Sequence, residues 1–119
     1  MTFGMQAPSS MKAAIETLEK LATYEKKILV LGDMLKLGEE GETYHREIGR
    51  ILNPATIQYV FTYEELARKI AEAALENYPK DKVRMFLSKS DIVKEIEGLT
   101  NPNDVVLVKG SRRWHWKKL

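Results

Sequence analysis

Apolar residues recur at intervals of three and four positions in four stretches of this chain. That spacing places them on one face of a helix, so each stretch is predicted to be an amphipathic helix. The positions that define the four faces are Met11, Ala14, Ile15, Leu18, Leu21 and Ala22; then Tyr44, Ile48, Ile51 and Leu52; then Leu66, Ile70, Ala73 and Ala74; and finally Ile92, Val93, Ile96 and Leu99.

Polar residues and prolines predict where these helices begin and end. Thr62 with Glu65 has the spacing of a capping box for the third helix, and Ser88 with Asp91 starts the fourth in the same way. Asn53-Pro54 ends the second helix, because the residue before a proline disfavours helical backbone.

Short apolar runs over residues 27–31, 57–61, 83–87 and 104–109 alternate with the helices and are predicted to be strands. This alternation requires parallel strands joined by right-handed crossovers. We therefore predict one Rossmann-like α/β domain over residues 1–119, with three layers and a mainly parallel sheet. The four strands are expected in the order third, second, first, fourth. If residues before Pro8 also occupy a strand position, they join the same sheet.

Composition restricts the function more than it identifies it. Nineteen Lys and Arg residues oppose 17 Asp and Glu, and a net charge of +2 is too small to indicate nucleic-acid binding by itself. The chain has no cysteine, which excludes disulfides and thiolate chemistry. No apolar run reaches the roughly 20 residues of a membrane-spanning helix. The abundance of Lys and Glu suits a thermophilic source.

The carboxyl ends of parallel strands usually carry the functional loops of such a sheet. Four segments are expected to gather there, at residues 32–37, 62–65, 88–91 and from 110 onward. Candidate chemistry follows two of the strands directly, with Asp33 after the first and Lys109, Ser111 and Arg112 at the end of the fourth. The sequence alone also allows ordinary roles, with Asp33 capping a turn and the basic segment forming a solvated loop.

Three segments then carry a family resemblance. They are Pro8-Ser9-Ser10-Met11-Lys12-Ala13-Ala14, Leu31-Gly32-Asp33-Met34-Leu35 continued through Leu37-Gly38-Glu39-Glu40 to His45 and Gly49, and Val108-Lys109-Gly110-Ser111-Arg112. In this order and spacing they resemble the C-terminal domain of bacterial Mur ligases, and within that family the D-alanyl-D-alanine-adding enzymes of peptidoglycan precursor synthesis.

The resemblance implies a cytoplasmic, three-domain parent enzyme whose last domain closes over the bound substrates and helps to bind the incoming dipeptide. It implies ligand-contacting roles, vestigial in an isolated domain, for Asp33, His45, Lys109, Ser111 and Arg112. This chain contains no Gly-x-x-x-x-Gly-Lys-Ser/Thr phosphate loop. We therefore expect no catalytic residue, no cofactor and no ligation by the chain alone. A lone helix histidine such as His45 is more often structural, and neither histidine indicates a metal site.

Both ends of the chain depart from the family pattern. Residues 2–8 read Thr-Phe-Gly-Met-Gln-Ala-Pro where the family typically has Asp-x-Tyr-Asn-Ala-Asn-Pro, and Arg113-Trp114-His115-Trp116-Lys117 replaces a Gly-Met-x-Met-Glu continuation. Lys36 stands at a position that is commonly acidic. These changes predict that residues 1–7 and 113–119 form a surface rewritten, by design, as a protein-binding module. The predicted binding residues are Phe3, Met5, Lys36, Arg113, Trp114, His115 and Trp116.

Other interpretations of these ends stay open at the level of sequence. The two tryptophans could pack back onto the sheet, or they could make the protein self-associate weakly. Trp beside Lys and Arg also suits a membrane surface or single-stranded nucleic acid, but the basic stretch is short and neither partner is expected. The alternative function is a passive fragment of a D-alanyl-D-alanine-adding ligase.

Overall fold

The computed structural model describes residues 2–5, 11–21, 23–32 and 41–109. Strands and helices alternate along these residues, with one short 3₁₀ turn, Lys80–Lys82, before the fourth strand. In chain order the elements are β1 (Thr2–Met5), α1 (Met11–Glu19), β2 (Lys27–Leu31), α2 (Gly41–Ile51), β3 (Tyr59–Tyr63), α3 (Ala67–Ala74), β4 (Val83–Phe86), α4 (Lys89–Leu99) and β5 (Val105–Lys109).

The five described strands form one sheet in the order β1-β5-β2-β3-β4, and every pairing is parallel. Leu29 pairs with Leu107 and Val60 in register, which places β2 at the centre. The predicted strands correspond to β2, β3, β4 and β5, so the predicted order of third, second, first, fourth is confirmed. β1, which was expected only conditionally, adds a fifth strand beside β5.

Two hydrophobic clusters cover the two faces of the sheet and give the domain its three layers. On one face, α1, α2 and α3 pack against Leu29, Leu31, Val60, Val105 and Leu107. On the other face, α4 packs through Ile92 and Ile96 onto Ile28, Val30, Phe61, Val106 and Val108. Strand residues alternate between the two clusters because successive side chains of a strand point to opposite faces.

Helices α2 and α3 pack unusually closely at Gly49. A Cβ atom at this position would lie 2.3 Å from the Ile70 carbonyl oxygen and 2.7 Å from Ala73 Cβ. Only a glycine allows this approach, so the family motif residue Gly49 has a packing role in the structure.

A buried carboxylate fixes the amino ends of β2 and β5. Asp104 accepts hydrogen bonds from the Lys26 backbone N–H at 3.0 Å, from Lys26 Nζ at 3.1 Å and from the Asn101 N–H at 2.8 Å. Burial by itself would raise the pKa of Asp104, but these hydrogen bonds and the Lys26 charge together lower the pKa below its ordinary value. Asp104 therefore holds the two central strands together as an ionised carboxylate.

Several local predictions are wrong in ways that the structure explains. The third helix does not begin with a Thr62–Glu65 capping box, because Thr62 lies inside β3 and α3 begins at Ala67 after Leu66, whose side chain makes no cap. β3 spans 59–63 instead of 57–61, since the Ile57 N–H bonds to the Asn53 oxygen in the preceding turn. By contrast, the Ser88 side chain does cap α4, accepting from the Asp91 N–H at 3.3 Å.

Burial also differs from the predicted pattern at a few apolar positions. The first helix ends at Glu19, before Leu21, and Leu21 packs half-buried against the first cluster. Ile51 was predicted on the buried face of α2 but is 46% exposed. Leu87 was predicted as the last residue of a strand, yet β4 ends at Phe86 and Leu87 is 79% exposed.

Candidate functional site

Three neighbouring strands deliver the family-related segments to the same edge of the sheet. β1, β5 and β2 are adjacent, with Met5 in register with Val108 and Leu31 in register with Lys109. The Gly32 N–H donates to the Lys109 carbonyl at 2.9 Å, which joins the last residue of β5 to the first residue after β2. The segments that start at residues 6, 33 and 110 therefore begin at three adjacent strand ends. This agrees with the expectation that functional loops gather at the carboxyl ends of parallel strands.

Among the predicted site residues whose side chains the structure describes, Lys109 is the one at this edge. Its side chain is only 1% exposed although it ends a strand, and it lies on the sheet face that carries α1, α2 and α3. Burial lowers the pKa of the Lys109 ammonium group below its ordinary value, because the charged form loses hydration. A cation in such surroundings acts more strongly on approaching negative charge than a solvated lysine does.

His45 occupies a structural position in the first turns of α2. Its ring is fully buried, and Nδ1 lies 2.5 Å from the Gly41 carbonyl oxygen, one turn earlier in the same helix. The Tyr44 ring packs edge-on against it, with ring centroids 6.1 Å apart. These contacts support the interpretation of His45 as a packing residue, and its ligand-binding role stays a prediction that rests on the resemblance.

A cleft of about 330 Å³ lies at the carboxyl ends of β3 and β4 and was not identified as a site from the sequence. The chain passes from β3 to α3 on one face and from β4 to α4 on the other, so a crevice opens between the two strand ends. The predicted strand order contained this signal, since it already placed the reversal of direction here. The cleft is lined by Tyr63, Glu64, Glu65, Arg68, Phe86 and Leu87.

Glu64, which lines this cleft, has an uncommon backbone conformation. Its φ angle of 88° lies in the left-handed region, and Glu64 is the one non-glycine residue with positive φ in the described part of the chain. Such conformations are costly for a residue with a Cβ and are found in tight turns and at functional positions. Here the conformation turns the chain sharply from the end of β3 towards α3.

Most of the other predicted site residues lie outside the described residues. For Phe3 and Met5 the structure gives the backbone of β1, which places them next to β5. Neither the predicted protein-binding face nor the ligand role of the segment after β5 is tested by the geometry. The residues outside the described ranges are Asp33, Lys36, Ser111, Arg112, Arg113, Trp114, His115 and Trp116.

Neither a metal-binding cluster nor a membrane-spanning helix is present in the described residues. No group of three or more His, Cys, Asp or Glu side chains is arranged there to hold a metal ion. None of the helices within the described ranges has the length and apolar character needed to cross a membrane.

The fold and the segments at its carboxyl edge define a class of domain. Residues 6–112 match the sequence profile of the family described as Mur ligase, glutamate ligase domain. The chain therefore belongs to this family, as a C-terminal domain of the Mur ligase type.

Individual relatives agree on one kind of ligase. The chain is 45% identical over 106 residues to the UDP-N-acetylmuramoyl-tripeptide–D-alanyl-D-alanine ligase of Bacillus subtilis. It is 31% identical over 104 residues to the ligase of the same name from Escherichia coli. The alignments cover 89% and 87% of this chain, but 23% and 22% of the two relatives.

A solved structure agrees with the sequence comparisons. The chain is similar to the crystal structure of MurF ligase from Thermotoga maritima in complex with ADP, with a TM-score of 0.70 and 30% sequence identity. The similarity covers 93% of this chain and 24% of that one. The chain thus spans about a quarter of the length of the relatives that it matches.

Proposed function

We propose that this chain is the C-terminal domain of a UDP-N-acetylmuramoyl-tripeptide–D-alanyl-D-alanine ligase. The observation that carries the proposal is the 45% identity to the Bacillus subtilis enzyme across 89% of the chain. The domain would contribute its carboxyl edge to an active site completed by the other domains of such a ligase, in the cytoplasm where its precursors are made. The Thermotoga maritima relative, solved with ADP, supports a nucleotide-using reaction.

The geometry indicates what the chain's own residues would do there. Lys109 is held at the strand end by the sheet on both sides and carries its charge in a buried setting. A fixed cation in low-dielectric surroundings would stabilise the negative charge of carboxylate or phosphate groups that approach this edge. The segments that begin at residues 33 and 110 would be positioned together, because the Gly32–Lys109 hydrogen bond ties their starting points.

The chain alone is expected to be inactive. Phosphoryl transfer from ATP depends on a backbone cradle and a magnesium ion, and the sequence has no phosphate-loop motif to form that cradle. Purified chain should therefore release no ADP from ATP above background, with or without the tripeptide and dipeptide substrates. ATP turnover that follows the purified protein and disappears in Lys109→Ala would contradict this expectation.

A chimera tests the proposed role directly. In the Bacillus subtilis ligase, the matched C-terminal region would be replaced by this chain, once unchanged and once with Thr2→Asp, Gly4→Tyr, Met5→Asn and Ala7→Asn, which restores the acidic residue, the tyrosine and both asparagines of the family segment. We expect the restored chimera to ligate the dipeptide and the unchanged chimera to be much slower. Lys109→Ala in the restored chimera should lower the ligation rate on the order of a hundredfold, as loss of one fixed charge donor does.

The chimera also distinguishes a wrong function from a damaged protein. Thermal unfolding and ATP binding by the central domain report folding independently of ligation. A restored chimera that folds and binds ATP but never ligates the dipeptide would argue against the proposed function.

A second candidate function is the protein-binding face predicted from the two altered ends. The adjacency of β1 and β5 favours it, because the two strands end side by side, at Met5 and at Lys109, on the same edge of the sheet. Phe3, Met5, Trp114 and Trp116 would supply apolar area, with Lys36, Arg113 and His115 around them. The partner would be a protein, since the net charge of +2 gives little attraction for nucleic acid.

This second proposal depends on the tryptophans. Trp114→Ala and Trp116→Ala should each weaken binding to a captured protein partner by about 1–3 kcal/mol if they anchor the interface. Ile51→Ala, an exposed apolar residue of α2, is the matched control and should change nothing. Unchanged binding by a folded Trp114/Trp116 double variant would place the interface elsewhere.

A further inference from the structure

The buried polar and charged side chains of the described residues lie towards the two ends of the sheet. Lys27 and Asp104 are near the amino ends of β2 and β5, and both are hydrogen-bonded there. The others are His45, in the first turns of α2, Thr62, which is the next-to-last residue of β3, and Lys109, which ends β5. Two of these three, Thr62 and Lys109, therefore belong to the carboxyl ends of the strands.

Thr62 and Lys109 belong to one row that crosses the sheet. Leu31 of β2 is in register with Lys109 of β5 on one side and with Thr62 of β3 on the other. Leu31 is part of the hydrophobic cluster under α1, α2 and α3, so all three side chains lie on that face of the sheet. Neighbouring strands are about 4.8 Å apart, which separates the Cα atoms of Thr62 and Lys109 by roughly 10 Å. A lysine side chain and one small ligand group can span this separation together.

The Thr62 hydroxyl is the unusual member of this row. Thr62 is 1% exposed, and its Oγ1 has no hydrogen-bond partner among the described residues. A hydroxyl that gives up its hydration without a new partner costs stability. Valine has a similar shape and would avoid this cost, so the buried hydroxyl calls for an explanation.

We propose that Thr62 is a binding residue of the site at the carboxyl edge, where its hydroxyl donates a hydrogen bond to the oxyanion that Lys109 attracts. The inference rests on the proposed ligase function and adds a second donor to that site. A lysine ammonium has donors only, so its ligand must carry acceptors, and a hydroxyl can turn its proton towards the same group. Carboxylates and phosphates both fit this chemistry. A hydrogen bond to a charged oxygen is stronger than one between neutral groups, so ligand binding would offset the cost that the free chain carries.

Removal of the hydroxyl tests the unpaired state of the free chain. Thr62→Val should raise the melting temperature of the isolated chain by on the order of 4 °C, because one unpaired buried polar group is lost. Thr100→Val is the matched control, since the Thr100 hydroxyl donates to the Ile96 carbonyl oxygen at 2.7 Å and its removal should lower the melting temperature. A Thr62→Val chain that melts below the original chain would show that the hydroxyl is already paired, and would overturn the proposal.

The restored chimera tests the contact with the ligand. Thr62→Val should raise the KM of an oxyanion-bearing substrate about tenfold, through loss of a hydrogen bond to a charged group, and Thr62→Ser should stay close to the original value. A rise confined to the dipeptide assigns a carboxylate, and a rise for ATP assigns a phosphate. Thr100→Val should leave both KM values unchanged. Unchanged KM values for every substrate in a folded Thr62→Val chimera would overturn this inference but not the ligase function, because the restored chimera would still ligate.

NMR of the isolated chain gives a measurement that needs no ligation. Inorganic phosphate and acetate serve as probes for the two kinds of oxyanion. The Thr62 methyl and Lys109 amide resonances should shift together on addition of at least one probe, and more than the Thr100 methyl resonance. Thr62→Val and Lys109→Ala should each reduce the response at the other residue. Resonances of Thr62 and Lys109 that respond to neither anion would overturn the proposal, even if the chimera fails to ligate.

Discussion

Gly49 shows how the absence of one side chain can determine the distance between two helices. The position belongs to a stretch that resembles a ligase motif, yet its surroundings are the Ile70 oxygen, Ala73 and Ala74 of α3. Gly49 and the buried His45 therefore set geometry, whereas Lys109 has a proposed role in binding negative charge. Sequence similarity marks both kinds in the same way.

Gly49→Ala should destabilise the fold. Its Cβ would lie within 3.0 Å of backbone atoms of α3, so the two helices must separate, which costs about 1–3 kcal/mol in a packed interior. Gly98→Ala in α4 is the matched control, because nothing lies within 4 Å of a Cβ there. It should be neutral or stabilise by up to about 1 kcal/mol, since alanine favours helix. Urea unfolding measures both, and equal midpoints for the two variants would contradict the packing role of Gly49.

At the scale of the element, the Lys26–Asp104 pair fixes where the central strands begin. The carboxylate receives three hydrogen bonds from two segments that are distant in the chain, and the Val105 N–H bonds in turn to the Lys26 oxygen at 3.0 Å. Lys26 Nζ also donates to the Leu99 oxygen at 2.9 Å, which connects the end of α4 to the same point. One ion pair thus aligns β2, β5 and α4.

Stability should fall in acid because of Asp104. Its pKa is lowered in the folded state, so the unfolded state binds the proton more readily, and the contribution is complete above the ordinary pKa of 3.8 and is lost as the pH falls through the folded value. Asp104→Asn should cost about 1.5–3 kcal/mol at pH 7, because it removes hydrogen bonds to a charged acceptor. The difference in unfolding free energy between the two proteins should shrink below pH 4. A difference that is constant from pH 7 to pH 2 would argue against this role.

Element types could be predicted from the sequence, but some boundaries could not. The pattern of Thr62 and Glu65 has the spacing of a capping box, yet Thr62 pairs in register with Leu31 and Met85 inside β3. Its hydroxyl is buried and has no hydrogen-bond partner among the described residues, which no local pattern indicates. The strand extends to Tyr63, which pairs in register with Phe86 of β4. At Thr62, strand pairing thus overrides the capping pattern in the sequence. At Ser88, by contrast, the capping pattern and the structure agree.

On the scale of the whole molecule, the order of strands follows from a few general rules. The order predicted for β2, β3, β4 and β5 from strict alternation, short loops and right-handed crossovers is the order in the structure. β1 could be anticipated only conditionally, since Thr2–Met5 has four residues and includes a glycine. The candidate edge was predictable for the same reason, because parallel strands bring their ends together. The cleft beside Glu64 lies where the predicted strand order already reverses direction, but its lining residues required the three-dimensional course of the backbone.

A comparison of two truncations measures how the last residues join the fold. Leu29→Ala, at a fully buried position of the central strand, should cost about 2–5 kcal/mol of unfolding free energy. Trp114→Ala should cost clearly less if the ring is available to a partner, as the protein-binding proposal requires. Thermal unfolding of both variants measures the two losses of stability. An equal loss in the two would mean that Trp114 belongs to the core.

The unequal helix layers have a consequence for motion. Among the described helices, three cover one face of the sheet and α4 alone covers the other, and α2 and α3 hold each other through Gly49. Local opening requires less free energy where fewer contacts are broken. Amide hydrogens of α4 should therefore exchange with solvent sooner than those of α2, α3 and the central strands. Local unfolding would therefore begin on the α4 side, while β2 and β5 keep the segments at the carboxyl edge in place.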